Sequence, residues 1–593
     1  MIFGKHINRY YIKYSPVLLL GILALIFVDI YQLKMPHLYQ LVVNGINNGF
    51  VVEDGVQHVF DMQFLLNEIC LPMMLIIVIM LVGRFLWRIC FLGSAVRVEA
   101  ALRERMFDNA RNLSHQYYQA NKVGNLMSLF TNDLDTVQEC FGWGIMMLFD
   151  ACFTGALAIS KMWNMDPTLT LLSLIPMLFL MGAATVLGRY MMKKWDIRQE
   201  AFSRLTDFAQ ESFTGLAVIK AFVKEGKELW AFKKLNIENE KANMDHTRAS
   251  VLFRILVMLF VESVICLILG YGGYLVYLDR FNAGQLVEFI GYFEAVIWPV
   301  MAVSEMIDMG SRGKASLLRI SELLDAKQDV TDKPDTKDLV DPKGTIEFRD
   351  LTFRYPDGEI DALENISFTI NAGENVGLFG RTGSGKTTLV DLILRTYNVP
   401  DGTLFIDGQD VNKLTIHSVR AACSYVPQDN FLFSDTIENN ISFGMEVESP
   451  TAVVQAAQLA DIHSNIEEFR AGYNTVLGER GVTVSGGQKQ RISIARALMR
   501  NAPILILDDS VSAVDTKTER NILNNLHSTR AGKTTILIAH RVSTIEKMDK
   551  VIFIDEGRVD AVGTHQELYA SNRKYQKMVD LQKLDEEGGE ANA

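Results

Sequence analysis

Residues 377–394 read GLFGRTGSGKTTLVDLIL. An apolar strand-like run ends at Gly380, a glycine-rich turn carries the chain to Gly385-Lys386-Thr387, and an apolar-periodic helix follows. This is the G-x-x-x-x-G-K-[ST] pattern between the flanks it requires. Gly380, Gly383 and Gly385 let backbone N–H groups converge on phosphate oxygens beside Thr382, Ser384 and Thr388. The helix start adds its positive dipole end, Lys386 neutralises charge, and Thr387 offers a hydroxyl to Mg²⁺. The reading predicts a phosphate-binding loop in an α/β domain.

Further along the chain, ILILDDSVSAVD (504–515) places four apolar residues before two adjacent carboxylates. Ligands of a parallel α/β sheet gather at the C-terminal edge of its strands. Asp508 is therefore expected to hold Mg²⁺ through its water shell, and Asp509 to orient or deprotonate an attacking water.

The chain around these motifs is too long for one core: 593 residues, 49% of them hydrophobic, point to a membrane part joined to a soluble part. Apolar segments of spanning length centre on 16–46, 70–98, 139–163, 167–188, 251–278 and 283–305. Connections 47–69, 162–167 and 279–283 contain one basic residue between them, Arg280, whereas 99–138 contains four and 189–250 twelve. That asymmetry predicts six spans with both termini cytoplasmic. The first apolar segment carries no small-residue cleavage site and is expected to be retained. The long inside connections read as amphipathic helix, so the spans are expected to continue beyond the bilayer.

Charged residues interrupt the spans, and each costs at least ~2.5 kcal/mol against lipid. Asp29, Asp150, Glu262 and Glu294 are therefore expected to face a wet cavity or pair with arginines such as Arg84. At ~100° per residue Glu294, Trp298, Met301 and Glu305 share one helix face, an acidic and aromatic stripe suited to a cationic, greasy solute.

Residues 326–343 are polar, contain Pro334 and Pro342, and read as a linker. The expected organisation is a transmembrane domain over 1–325, the linker, an α/β ATPase domain over 344–580 and an acidic tail over 581–593. Net charge is −12 and the acidic excess lies in the second half, which excludes nucleic acid as an electrostatic partner. Six unpaired-looking cysteines suggest neither disulfides nor a zinc site.

The motifs in their order resemble one family. Residues 344–570 look like the nucleotide-binding domain of ATP-binding cassette (ABC) exporters, and VSGGQKQRISIARAL (484–498) resembles that family's signature. The resemblance implies ATP and Mg²⁺ as ligands. Tyr355 then resembles the aromatic that stacks on adenine, and Gln428, in YVPQDNFLF, the glutamine that reaches Mg²⁺ and the membrane domain. Ser485, Gly486, Gly487 and Gln488 resemble the residues that bind the γ-phosphate held by an opposite subunit. GERG (478–481) looks like an exporter-type contact to the membrane helices, Asp515 ends the loop exchanged across the dimer, and His540 resembles the switch histidine. VGNLMSLFTNDLDTV (123–137) and ESFTGLAVIKAFVKE (211–225) are similar to the two cytoplasmic turns that dock on the ATPase domains.

One position departs from the pattern. The family usually has Glu after the Mg²⁺-binding Asp, and Asp509 is shorter by a methylene, over ~1 Å, where misplacement of that size can cost ~10²-fold in rate. With an intact signature, this looks like the subunit of a heterodimeric exporter that carries the degenerate site. The resemblance implies a half-transporter in the cell membrane that moves drug-like or lipid-like amphiphiles by alternating access. A homodimeric lipid flippase and an ATP-gated regulatory or channel-like subunit remain open.

Overall fold

The computed structural model describes residues 3–53, 56–445, 449–478, 481, 483–539 and 541–590. They form two compact units: residues 1–111 with 122–326, and residues 112–121 with 327–593.

The first unit is helical. Its long elements are α1 (Asn8–Gln32), α2 (Met35–Asn48), α3 (Leu71–Ala110), α4 (Leu134–Met165), α5 (Pro167–Thr214), α6 (Glu225–Tyr277) and α7 (Ala283–Asp325). A hairpin of β1 (Phe50–Glu53) and β2 (Val56–Val59) joins α2 to α3. Local chemistry sets the boundaries. Asp166 caps α5 by accepting from Leu169 N, with Pro167 in the first turn. Asn282 and Gln285 form a reciprocal capping box that starts α7.

Five helical segments carry a stretch long and apolar enough to cross a bilayer, and in α5 the described apolar stretch is Pro167–Met177. α6 has 53 residues, roughly 80 Å at 1.5 Å per residue against a hydrocarbon core of ~30 Å, so it is far longer than a crossing requires. One sequence reading needs correction. The segment 16–46 is not one helix: it breaks at Leu33-Lys34 ahead of Pro36, whose ring cannot continue the hydrogen-bond ladder. In the connection 99–138, α3 runs on to Ala110 and the chain then turns through short helices His115–Ala120 and Val123–Ser128.

Within this unit α1 packs on α3, α4 on α7, and α5 on α6. Small residues set the closest approaches. A Cβ on Gly142 of α4 would lie 2.8 Å from the Ala95 Cβ of α3, and neither atom belongs to a side chain that can swing away.

The second unit is built on a six-stranded sheet ordered β12-β11-β5-β10-β9-β8. Its strands are β5 (Asn375–Gly380), β8 (Cys423–Val426), β9 (Ile504–Asp508), β10 (Thr534–Ile538), β11 (Lys550–Asp555) and β12 (Arg558–Gly563), with only β12 antiparallel to its neighbour. Every residue of β9 is buried, as a strand covered on both faces must be. Because β5, β8 and β9 run the same way, Gly380, Asp508 and the turn to Gln428 emerge at one edge. A smaller antiparallel sheet, β4-β3-β6-β7, packs beside it; its strands are β3 (Ile346–Phe353), β4 (Leu363–Ile370), β6 (Leu404–Ile406) and β7 (Gln409–Asp410).

Two segments outside the expected ATPase domain are built into this unit. Gln119 Oε1, on the short helix His115–Ala120, accepts from the Tyr397 hydroxyl at 3.0 Å. The polar stretch 326–343 bridges along the domain: Lys337 N donates to Lys413 O at 2.9 Å, and Thr415 N donates to Lys337 O at 3.0 Å. Its end is pinned by Asp407, whose carboxylate accepts from the backbone N–H groups of Lys343, Gly344 and Thr345.

Gly142→Val is expected to push α3 and α4 apart and destabilise the full-length chain by about 1–3 kcal/mol. A thermal melt in detergent should show a clearly lower midpoint than for Gly142→Ala.

Candidate functional site

At the common edge of β5, β9 and β8 lies a cavity of about 350 Å³ lined by Tyr355, Thr382, Gly383, Gly385, Lys386, Thr387, Thr388, Gln428 and Asp508, with Ala362 and Ile538. That volume suits a nucleotide-sized ligand. The loop geometry demands its glycines. Gly383 and Gly385 have φ of +81° and +98°, a region closed to most side chains. A Cβ on Gly380 would meet Ile554 O at 2.1 Å, and one on Gly385 would meet Leu363 Cδ2 at 2.6 Å.

Helix α8 (Lys386–Ile393) begins at the loop, so its unpaired first-turn N–H groups face the cavity. Lys386 is 5% exposed, and its Nζ donates to Gly380 O at 2.9 Å and Arg381 O at 2.7 Å. Burial pushes the Lys386 ammonium down from its ordinary range, while Asp508 and Asp509 hold it up. Ser384 is also buried, and its Oγ has no hydrogen-bond partner among the described residues. A buried cation and an orphaned hydroxyl at a helix start are the fittings of an anion site.

Asp508 is 2% exposed and receives a hydrogen bond from the Tyr425 hydroxyl. Burial first, and the neighbouring carboxylates second, keep that hydroxyl protonated and donating. Asp508, the Thr387 hydroxyl and the Gln428 amide line the same cavity, and such hard oxygen donors fit Mg²⁺ with retained waters. Further along α8, burial pushes the Asp391 carboxyl up to about 6, with His115 pulling it back and Asp508 adding repulsion.

Tyr355 presents its half-buried ring to the cavity. Its hydroxyl lies 2.8 Å from Thr388 Oγ1, and its ring meets Tyr397 edge-on at 5.2 Å.

Asp509 is placed differently. It does not line the cavity, and its φ of +47° is a left-handed backbone that Asp tolerates better than most residues. Its N–H donates to Ile538 O at 3.0 Å, and its carbonyl accepts from Ser512 Oγ at 2.9 Å. Gln490 braces the same turn, with Oε1 accepting from Ala513 N at 3.1 Å and Nε2 reaching Asp509 O at 3.5 Å.

Gln490 belongs to α9 (Gly486–Arg500), the helix opened by the signature. Ser485 is its N-cap: Ser485 Oγ accepts from Gln488 N at 3.2 Å, and Gln488 Oε1 accepts from Ser485 N at 2.9 Å. Ser485 and Gly486 are exposed, and none of Ser485, Gly486, Gly487 and Gln488 lines the cavity of its own phosphate loop. Asp515 caps α10 (Thr516–Thr529), accepting from Lys517 N and Thr518 N. His540, Glu479 and Arg480 lie outside the described residues.

Sequence reasoning missed Tyr425, Gln490 and Asp391. Tyr425 had a usable signal, since it lies shortly before Gln428 on the strand paired with β9.

In the helical unit the seven residues assigned to a solute cavity divide. Trp298 Nε1 donates to Asp150 Oδ2 at 2.7 Å, and Asp29 is 3% exposed with Thr154 as its hydrogen-bond partner. Arg84 forms no ion pair with either carboxylate among the described residues; its Nη2 donates to Gln32 Oε1 at 3.0 Å. Glu294, Trp298, Met301 and Glu305 are all exposed residues of α7. Glu262, Glu294 and Glu305 make no hydrogen bond or ion pair with the others among the described residues. They are not part of that cluster.

Comparison with known proteins gives the same architecture. Residues 18–300 match the family model of the ABC transporter transmembrane region, and residues 363–512 match the family model described as ABC transporter. The chain is 35% identical to the probable multidrug resistance ABC transporter ATP-binding/permease protein YheI of Bacillus subtilis, over 99% of this chain and 98% of that protein. It is 34% identical to the multidrug resistance-like ATP-binding protein MdlA of Escherichia coli, over 95% and 94% of the two chains. Among solved structures, a bacterial Atm1-family ABC exporter with ATP bound superposes with a TM-score of 0.77 at 26% identity, covering 97% of this chain and 98% of that one. With a helical transmembrane domain followed by an ATPase domain whose phosphate loop is intact, the chain belongs to the ABC exporters and is an ATPase coupled to transport across a membrane.

Proposed function

We propose that this chain is one half of an asymmetric exporter of amphipathic small molecules. In this reading its own phosphate loop contributes to a slow ATP site, and its signature contributes to a fast one. The observation that carries the reading is Asp509, a short carboxylate on a turn outside the cavity lining, next to an otherwise complete binding constellation.

The family resemblance and the lining of the cavity support the following roles. Gly380, Gly383, Ser384, Gly385 and the start of α8 hold the phosphates by backbone and hydroxyl, and Lys386 exchanges its carbonyl contacts for phosphate oxygens. Tyr355 stacks on the base, with Thr382 and Thr388 flanking the phosphates. Thr387, Gln428 and Asp508 would hold Mg²⁺, which when bound supplies charge neutralisation at the β- and γ-phosphates. Asp508 keeps its orientation through Tyr425. Asp509 takes the part of the residue that orients the attacking water, with a reach one methylene short; His540 would complete that site.

The exposed cap of Ser485, Gly486, Gly487 and Gln488 is suited to an opposite subunit's γ-phosphate, because Ser485 and Gly486 stand clear of this chain's own site. The partner is a second half-transporter bearing Glu at the position of Asp509. ATP then clamps the two ATPase domains and turns the membrane helices outward, and hydrolysis at the partner's site resets them. The names of the multidrug relatives, together with the acidic and aromatic residues of the membrane domain, support drug-like amphiphiles as substrates. The charge asymmetry of the connections supports cytoplasmic termini and a cytoplasmic ATPase domain in the cell membrane.

Lys386→Ala is expected to lower ATP affinity at least ~10-fold, since it removes a charge-assisted contact worth ~1.5–3 kcal/mol. Equilibrium binding of a fluorescent ATP analogue to the purified chain reads this directly.

Asp509→Glu is expected to raise the ATPase rate of the chain isolated without a partner, by up to ~10² where misplacement alone limits the rate. An unchanged or lower rate, in a variant that binds ATP normally, would mean that Asp509 already reaches its water and that the chain works as a symmetric pair.

A further inference from the structure

The geometry points to a binding subsite for one organic monocation in the membrane domain, formed by Asp29, Asp150 and Trp298. It rests on the export reading, and it narrows the substrate from amphiphiles in general to amphiphiles with a single positive charge.

Asp29 is 3% exposed on α1, and its Oδ2 has no hydrogen-bond partner among the described residues. Thr154 serves the carboxylate on one side only. A buried carboxylate oxygen left without a donor is costly and calls for a ligand with positive charge. Asp150 lies on α4 one turn before Thr154, close enough to act electrostatically on Asp29. Arg84 of α3 reaches both carboxylates electrostatically but ion-pairs with neither. The two carboxylates therefore face one guanidinium that pairs with neither of them.

The apolar half of the recognition comes from Trp298. Its indole N–H fixes Asp150 at 2.7 Å, while the residue is 38% exposed. An aromatic face beside a carboxylate binds an alkylated ammonium or phosphonium by cation–π attraction and burial together, and favours such a group over a strongly hydrated inorganic ion. Depth agrees with this. Asp150 stands at the middle of α4, and Trp298 lies well inside α7. Measured back from Met165 for the first and forward from Ala283 for the second, at ~1.5 Å per residue, each lies roughly 22 Å along its helix, inside a ~30 Å hydrocarbon layer. There a charged group without a counter-charge is expelled.

The test is equilibrium binding of radiolabelled tetraphenylphosphonium, with tetraphenylborate of the same shape and opposite charge as control. It uses the full-length chain in its membrane assembly, in lipid nanodiscs without nucleotide. The phosphonium is expected to bind at least about tenfold more tightly than the borate. Asp29→Asn and Asp150→Asn should each weaken it at least about tenfold, and Asp29→Glu should restore most of the loss. ATP binding, read in parallel, should be unchanged in all three.

Folded Asn variants that bind phosphonium within about twofold of the parent, or a parent that does not discriminate the two ions, would overturn the subsite. Should Asp29→Asn fail to fold, Asp150→Asn decides alone. ATP-driven uptake into inverted vesicles tests the export reading separately. A chain that exports a neutral amphiphile but ignores the phosphonium sinks the subsite only, and one that binds the phosphonium but moves nothing sinks the export reading only.

Discussion

Two opposite charges held out of water at one edge of a parallel sheet organise the ATPase domain. Lys386 and Asp508 are each more than nine-tenths buried, and an isolated charge in such a place costs several kcal/mol. The fold meets that cost with specific partners: two loop carbonyls for the ammonium and the Tyr425 hydroxyl for the carboxylate. Both charges remain available to a ligand that carries phosphates and a divalent cation. The parallel strands, the glycines that admit the tight turn and the helix that starts at Lys386 all serve this placement.

The membrane domain repeats the principle with less compensation. Asp29 keeps one oxygen without a donor among the described residues, and the Arg84 guanidinium is engaged with Gln32. Small residues let the helices close beside these groups: a Cβ on Gly83, next to Arg84, would collide with Val28, next to Asp29. Ionisable residues kept inside membrane helices at such a cost commonly mark the path of a substrate or ion.

Much of this was legible in the sequence, because the signals were local. The phosphate loop and the buried run ILIL ahead of Asp508 are short patterns whose chemistry is fixed by spacing, and the signature at Ser485–Gln488 was legible by family resemblance, though not as the helix cap it forms. The apolar runs and the uneven distribution of basic residues likewise pointed to membrane helices. What escaped depended on contacts distant in sequence or on backbone conformation. The donor to Asp508 comes from Tyr425 on the neighbouring strand β8, and the brace on the Asp509 turn comes from Gln490 on a separate helix. The left-handed backbone of Asp509 has no signature in residue type beyond the tolerance of Asp for it. The break in the first span was visible as Pro36, but a long apolar run outweighed it.

The ATPase unit is discontinuous: residues 112–121 belong to it, although the helical stretch 122–326 separates them from the rest. During synthesis that short segment leaves the ribosome long before Tyr397, the partner of Gln119, has been made. Its stable seat therefore forms only after α4 to α7 have been translated. An ATPase domain excised at residue 327 would lack this piece and expose the Tyr397 hydroxyl that normally meets it. The seat of residues 112–121 is thus completed only when the part of the ATPase domain around Tyr397 has been made.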